Sequence, residues 1–361
     1  MPLFKVYAGI QKPAKIRFFL RNCILFCIFV RMEFRTLVPV KQMPFSLSHT
    51  DKVMVLGSCF AENTGLKMQE SGFRISLNPF GVLYNPASVG MALYRMLADQ
   101  PFLDEELVEY EGYFHSFSHH GSFSGTNRKA TLEHINQSFN QAVLDLKDAT
   151  CLMITFGTAW VYALPSTDQI VANCHKLPED NFLRRRLSSD EIVFFYTELF
   201  EKIFELKPDL KVVFTVSPIR HWKDGVHENT LSKSILHMAI EDLCECFENI
   251  TYYPAYELVM DDLRDYRFYA EDMLHPAPTA QRYIWDHFSE SFFSKSTRET
   301  LRQVQQIRKA MQHKPFHPGD EAHIRFAKKN IAAIEMLRFS APELDLTEEI
   351  AYFTSIIDES L

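Results

Sequence analysis

Three apolar runs, each stopped by a turn, constrain this chain most. Val53-Met54-Val55-Leu56 ends at Gly57, Cys151–Phe156 ends at Gly157, and Lys211–Val216 ends at Ser217-Pro218-Ile219. Runs this short without polar alternation describe strands buried on both faces. Helical spacing follows or precedes each of them. It covers 60–71 with Gly72 as C-cap, a helix opened by Asn85-Pro86, and 131–147. Further stretches are 189–206 behind Ser188, 229–247 and 279–293, with weaker strand signals near 73–77 and 250–253. Buried strands alternating with helices predict a mostly parallel sheet covered on both faces. The segment 101–130, rich in Gly, Ser, His and aromatics, reads as an elaborated loop. A short hairpin and a polar loop ending in Arg184-Arg185-Arg186 are expected over 160–187. Strand signals cease after about residue 294. Helical patterns near 297–313 and 320–338 then lead to an acidic tail, equally compatible with a helix or disorder.

A chain of 361 residues can bury an ample core in one large domain or two, and 31 phenylalanines make that core aromatic. A net charge of −8 argues against a nucleic-acid partner or an anionic membrane surface. The seven cysteines (23, 27, 59, 151, 174, 244 and 246) are odd in number and irregularly spaced, which fits a reducing compartment, the cytoplasm, better than a secreted disulfide framework. Residues 14–31 are basic and apolar like an export segment. Arg21 interrupts them, however, and Cys23–Val30 is far shorter than a membrane span needs. Translation from Met32 is therefore expected, with 1–31 a non-native or short apolar extension. The alternative is an exported or membrane-associated protein, anchored through 14–31. The expected organisation is an α/β domain over 32–293 and a helical extension over 294–361 that packs on it or mediates a homodimer.

In an open parallel sheet, ligands bind beyond the carboxyl ends of the strands. Ser58 and Cys59 then fall at the working edge and at the start of a helix, where N–H groups and the helix dipole favour an anion and depress a thiol pKa. For an arbitrary strand–helix turn the plainer account is a buried thiol and a serine N-cap. Asp272 and His275 change the balance. Three residues apart in a loop with Pro276 and Pro278, they let a carboxylate fix one imidazole nitrogen while the other faces a nucleophile.

Six segments together resemble the GSCFA family, itself similar to SGNH/GDSL hydrolases. They are Val-Leu-Gly-Ser-Cys-Phe-Ala-Glu-Asn (55–63), Asn-Pro-Phe-Gly-Val-Leu-Tyr-Asn-Pro (78–86), Ile-Thr-Phe-Gly-Thr-Ala-Trp-Val-Tyr (154–162), Asn-Cys-His-Lys (173–176), Val-Ser-Pro-Ile-Arg-His (216–221) and Asp-Met-Leu-His-Pro (272–276). The resemblance spans roughly 34–293. It implies a flavodoxin-like three-layer α/β/α fold and a hydrolase of acyl esters, carbohydrate-borne acetyl groups among them, with no metal or cofactor. Cys59 falls at the nucleophile position, with Ser58 the alternative if the register slips by one. Asp272 and His275 match the last block. Gly81, with Asn78 near it, matches the second block and its oxyanion-hole N–H. The third block here reads Gly157-Thr158-Ala159-Trp160, without the usual oxyanion-hole asparagine, so the missing donor is expected from Asn78, Asn85 or Thr158. The implied mechanism is acyl transfer through an acyl-enzyme. An O-acyltransferase and an inactive ligand-binding module are the alternatives.

Other candidates are weaker. The match at Asn173-Cys174-His175-Lys176 suggests that His175 lines the pocket. His120 belongs with His115 and His119 in the 101–130 loop, substrate-facing or merely on the surface. Arg220-His221-Trp222 follows a strand end, where burial of Trp222 is the simpler reading. Arg184–Arg186 reads as a solvated cluster.

Overall fold

The computed structural model describes residues 35–359. The sequence readings that concern 1–31 lie outside them.

The apolar runs form strands in the expected places. Five parallel strands make the central sheet: β1 (Lys52–Gly57), β2 (Arg74–Leu77), β5 (Cys151–Phe156), β9 (Lys211–Val216) and β10 (Ile250–Tyr252). Their order across the sheet is β10-β9-β5-β1-β2. In chain order this is the 2-1-3-4-5 arrangement of flavodoxin-like sheets, whose ligand site lies at the carboxyl ends, where the strand order reverses. Pairing is in register through Gly57↔Thr155 between β1 and β5, and through Phe156↔Val216 between β5 and β9.

Period-two alternation sorts the strand side chains into two cores. Met54, Leu56, Leu152, Ile154, Phe156 and Phe214 point to one face. There they meet α2 (Pro86–Leu97), α3 (Arg128–Asp148), α4 (Ser189–Leu206) and α5 (Val226–Cys246). Val53, Val55, Met153 and Val213 point to the other and meet α1 (Cys59–Glu70) and α7 (Pro278–Phe292) through Phe60, Met68, Trp285 and Phe288. Both faces are covered, so the domain is a three-layer α/β/α fold. Helix starts follow the capping rules. Asn85 accepts from the Ser88 N–H, with Pro86 in the first turn, and Ser188 closes a capping box with Glu191.

Two inserted pieces differ from expectation. The stretch 101–130 is no plain loop: β3 (Leu107–Tyr110) and β4 (Tyr113–Ser116) form an antiparallel hairpin within it. The region 160–187 folds as a three-stranded sheet of β6 (Trp160–Ala163), β7 (Ile170–Val171) and β8 (Leu183–Arg186), in the order β7-β6-β8. Arg184, Arg185 and Arg186 therefore lie on a strand, paired with Asp224, Glu191 and Glu228. Antiparallel backbone pairing with β6 makes this stretch a strand, and the carboxylate partners come from elements just beyond it or farther along the chain.

After β10 a single helical turn, α6 (Ala255–Glu257), runs into a π turn ending at Asp262. Beyond α7 come α8 (Lys295–Met311), α9 (Glu321–Ser340) and α10 (Thr347–Asp358), so the acidic tail is a helix as far as Asp358. Val304, Ile307, Ile334, Leu337 and Phe353 give these three helices a core of their own. No helix among the described residues is long and apolar enough to cross a membrane.

Candidate active site

The turn after β1 is dictated by how closely β5 approaches. Gly57 has φ +138, and a Cβ there would stand 2.3 Å from the Thr155 carbonyl oxygen, so only glycine fits. Ser58 follows as the N-cap of α1, without a side-chain capping bond, and Cys59 is the first residue of the helix. Ser58 is buried and its hydroxyl has no protein partner, whereas Cys59 is a free, half-buried thiol.

His275 approaches from the other side of the sheet edge. Its loop is closed by bonds from the Ala270 N–H to the His275 carbonyl (2.8 Å) and from the Ala277 N–H to the Phe268 carbonyl (2.8 Å). Inside the loop, Asp272 Oδ1 accepts the N–H groups of Leu274 and His275, each at 2.9 Å. Met273 takes the left-handed conformation this tight turn requires, at φ +59. Asp272 Oδ2 then lies 2.5 Å from His275 Nδ1, and His275 Nε2 lies 3.9 Å from Cys59 Sγ. The backbone N–H groups of His275 and Leu274, with the imidazole, hold the Asp272 carboxyl down at about 2. The pair thus stays ionised on the carboxylate side at neutral pH, and Nδ1–H is the donor to it.

Opposing influences act on Cys59. Burial pushes the thiol up, and this prevails. Its own N–H, that of Phe60 and the charge of Lys233 pull it down, and Glu62 adds to the rise. The helix start alone would have depressed it.

The expected oxyanion donors are largely committed elsewhere. The Gly81 N–H donates to the Asn78 carbonyl at 2.7 Å within its turn. Gly157 and Thr158 both donate their N–H to the Tyr84 carbonyl (2.8 and 2.9 Å). The Thr158 hydroxyl accepts from the Trp160 N–H and lies 3.2 Å from Ser232 Oγ. Asn85 Oδ1 caps α2. Asn78 Oδ1 accepts the Gly57 N–H at 2.9 Å, which places this amide directly behind the nucleophile turn; its Nδ2 is buried without a partner.

The histidines of the two inserted pieces form a packed group. His175 Nε2 donates to the Ser116 carbonyl at 2.8 Å and its ring stacks on His115. It is buried, with its pKa lowered to about 4 chiefly by burial. His119 stacks on Phe80 and is lowered to about 3 for the same reason. His120 donates its N–H to the Phe80 carbonyl and packs against Gly81, so this group backs the second sequence block. Trp222 is 43% exposed, contrary to the burial expected of it; the inward residue is its neighbour His221, bonded to the Gly157 carbonyl at 2.9 Å.

Lys233 escaped the sequence reading. Its side chain is buried under the same edge and donates to the carbonyls of Gly157 and Ser217, each at 2.6 Å. The signal was present: Lys233 is in helical phase with Leu236 and Ile240, on the core face of α5.

Fold and site together define a doubly wound α/β protein with a thiol, an imidazole and a carboxylate aligned at the switch point of its sheet. The family model for the GSCFA family matches residues 52–288, and that for the GSCFA domain protein, C-terminal domain, matches 304–359. The chain belongs to the GSCFA family. Among solved structures, a Clostridium thermocellum family 3 carbohydrate esterase is matched at 10% identity and a TM-score of 0.31, over 71% of this chain and 98% of that one. A comparison with curated proteins finds no match.

Proposed function

We propose that the α/β domain hydrolyses small acyl esters, with Cys59 as nucleophile, His275 as general base and Asp272 as the group that orients it. The observation behind this reading is the continuous chain from Asp272 Oδ2 through His275 to Cys59 Sγ, at 2.5 and 3.9 Å. Because Nδ1–H donates to Asp272, the Nε2 lone pair faces the thiol. His275 takes the thiol proton, sulfur attacks the ester carbonyl, and the tetrahedral oxyanion forms over the first N–H groups of α1. Collapse leaves a thioester on Cys59 while His275 returns the proton to the departing alkoxide. Water, deprotonated by His275, then attacks the thioester; the C–S bond breaks, the carboxylic acid leaves, and His275 returns the proton to the Cys59 sulfur. The contact of 3.9 Å is long for proton transfer and has to tighten when substrate binds, as apo geometries commonly do. Ser58 is the weaker nucleophile, since its hydroxyl is buried and bonded to no protein group. The resemblance to SGNH/GDSL hydrolases supports a carbohydrate-borne acyl group as substrate. Free cysteines, Cys59 among them, suit a reducing, cytoplasmic setting.

One observation favours the reading as an inactive binding module: burial pushes the Cys59 thiol up instead of poising it. The deciding experiment is hydrolysis of acetyl esters by the native chain beside Cys59→Ala, Ser58→Ala and His275→Ala. Activity lost with Cys59→Ala and His275→Ala but kept with Ser58→Ala supports the thiol mechanism. Loss with Ser58→Ala but not with Cys59→Ala moves the nucleophile by one residue. No turnover on a broad ester panel leaves the binding module, and acyl transfer to an added sugar in place of water identifies an acyltransferase.

A further inference from the structure

The two helices next to the Cys59–His275 pair do not close completely over the sheet. α1 begins at Cys59 and α7 begins just after His275. Between them runs a crevice with a free volume of about 40 Å³. Its walls include Phe60 and Thr64 from α1, Ile284 and Trp285 from α7, and Pro276, the residue after His275. Its floor is the sheet. Period-two alternation puts Thr155 and Thr215 on the same face as Met153 and Val213, two residues earlier on each strand. Thr155 pairs with Thr215 on one side and with Gly57 on the other. The floor therefore reaches the row of the sheet from which the chain passes to Ser58 and Cys59. Cys59 itself packs against the cluster that contains Phe60, Ile284 and Trp285.

The crevice offers a ligand little besides apolar surface. The Thr64 hydroxyl donates to the Phe60 carbonyl at 3.1 Å, and the Gln281 side-chain amide donates to the Pro276 carbonyl at 3.0 Å. Asn63 and Lys67 also line it, but both are exposed and belong to its outer rim. On the floor, the Thr215 hydroxyl is buried without a partner. A sugar placed here would exchange several hydrogen bonds with water for one, which is costly, whereas a hydrocarbon chain gives up none. Size sets the length of that chain. One water requires about 10–15 Å³ of such space, so the crevice holds about three heavy atoms in line. That is the tail of a butyryl group.

We propose that this crevice is the acyl pocket of the site, taking the short hydrocarbon tail of the group carried on Cys59 while the alcohol part of the ester stays outside it. This rests on the reading of Cys59 as nucleophile and deepens it by naming the acyl class. Propionyl and butyryl groups fill the crevice, acetyl fills it only in part, and an octanoyl chain exceeds it.

The test is modification of Cys59 by methyl, propyl, butyl and octyl methanethiosulfonates, in the native chain and in Thr64→Phe. The thiolate attacks the alkyl-bearing sulfur, a mixed disulfide forms and methanesulfinate leaves. A propyl disulfide on Cys59 reaches as far as a butyryl thioester. Mass spectrometry of the Cys59 peptide gives the rate, taken relative to the exposed Cys246 of the same chain. In the native chain the propyl reagent is expected to outpace the methyl one, by up to about fourfold for each methylene buried, and to outpace the octyl one as well. The Thr64→Phe ring fills the crevice and abolishes this preference. Rates at Cys59 that ignore chain length, or a preference that survives in folded Thr64→Phe, overturn the proposal. Should Thr64→Phe not fold, Ile284→Val replaces it: the crevice is one methyl wider, the optimum moves toward butyl, and an unmoved optimum overturns the proposal. These reagents require no turnover. A propyl preference lost in Thr64→Phe, in a protein without esterase activity, supports the crevice while removing the hydrolase reading. An active esterase whose Cys59 ignores chain length does the reverse.

Discussion

Cys59 Sγ and His275 Nε2 stand 3.9 Å apart across 216 residues of chain. Neither position is built by its neighbours in sequence alone. Cys59 is delivered by a strand that ends against β5, and His275 by a loop whose two ends are tied to each other. Asp272 is a local partner of His275, and its contribution is open to a direct test. Asp272→Asn keeps the size of the group but favours the wrong imidazole tautomer, so kcat is expected to fall by up to about 10⁴-fold with KM little changed. Steady-state kinetics on an acetyl ester measures this, and an unchanged kcat would contradict the role given to Asp272.

The Asp272 carboxyl is expected to titrate near 2, not at the unperturbed value of about 3.9. Its folded pKa is depressed, so the order it lends the loop is complete above the unfolded value and is lost as pH falls through about 2. Carboxyl carbon NMR across that acid range reads the midpoint. A midpoint near 4 would mean that the Leu274 and His275 N–H bonds are absent in solution.

The buried histidines give stability an acid slope. His119, His175 and His221 are lowered to about 3, 4 and 4, each mainly by burial, below the usual 6.5 of a histidine. Between the unfolded and folded values the unfolded chain binds more protons, so stability falls as pH drops from about 6.5 toward 4. Each fully buried histidine contributes at most about 1.4 kcal/mol per pH unit. Urea midpoints measured against pH should show this slope, and His119→Leu should flatten it.

Gly57→Ala should be among the most destabilising small substitutions. The new methyl would meet the Thr155 carbonyl at 2.3 Å, at a φ of +138 that alanine rarely adopts. Strain of this kind costs about 1–3 kcal/mol before the β1–β5 pairing is disturbed. Chemical denaturation of the variant is expected to show at least that loss, with ester hydrolysis falling in step because Cys59 is displaced.

Arg308 joins the C-terminal helices to the α/β domain. Its Nε donates to Glu349 Oε1 at 2.7 Å on α10, and another guanidinium nitrogen reaches the Gln69 carbonyl at the end of α1 (2.8 Å). Glu349 is 4% exposed, so Arg308→Met leaves a buried carboxylate without its partner, at a cost of about 3 kcal/mol. Arg308→Met with Glu349→Leu should recover most of that loss in thermal melts. Failure to recover would assign the loss to the Gln69 contact.

The sequence by itself determined a good deal: the strands β1, β5 and β9, the helices capped by Asn85 and Ser188, the left-over helical C-terminus, and the Asp272–His275 pair. Each is written in residues close together in the chain, where apolar runs, capping side chains and a three-residue spacing act through local geometry. The commitments of the oxyanion candidates were decided only by tertiary structure. The Gly81, Gly157 and Thr158 N–H groups were free to donate until their turns closed on the Asn78 and Tyr84 carbonyls. The strand that carries Arg184–Arg186 likewise depended on pairing with β6, and the charges on it were matched by Asp224, Glu191 and Glu228. Lys233 shows the division most clearly. Its spacing with Leu236 and Ile240 placed it on the buried face of α5, but the carbonyls that hold its amine lie at the ends of two strands. Hydrogen bonds and charge act through space, and only the folded chain sets those separations.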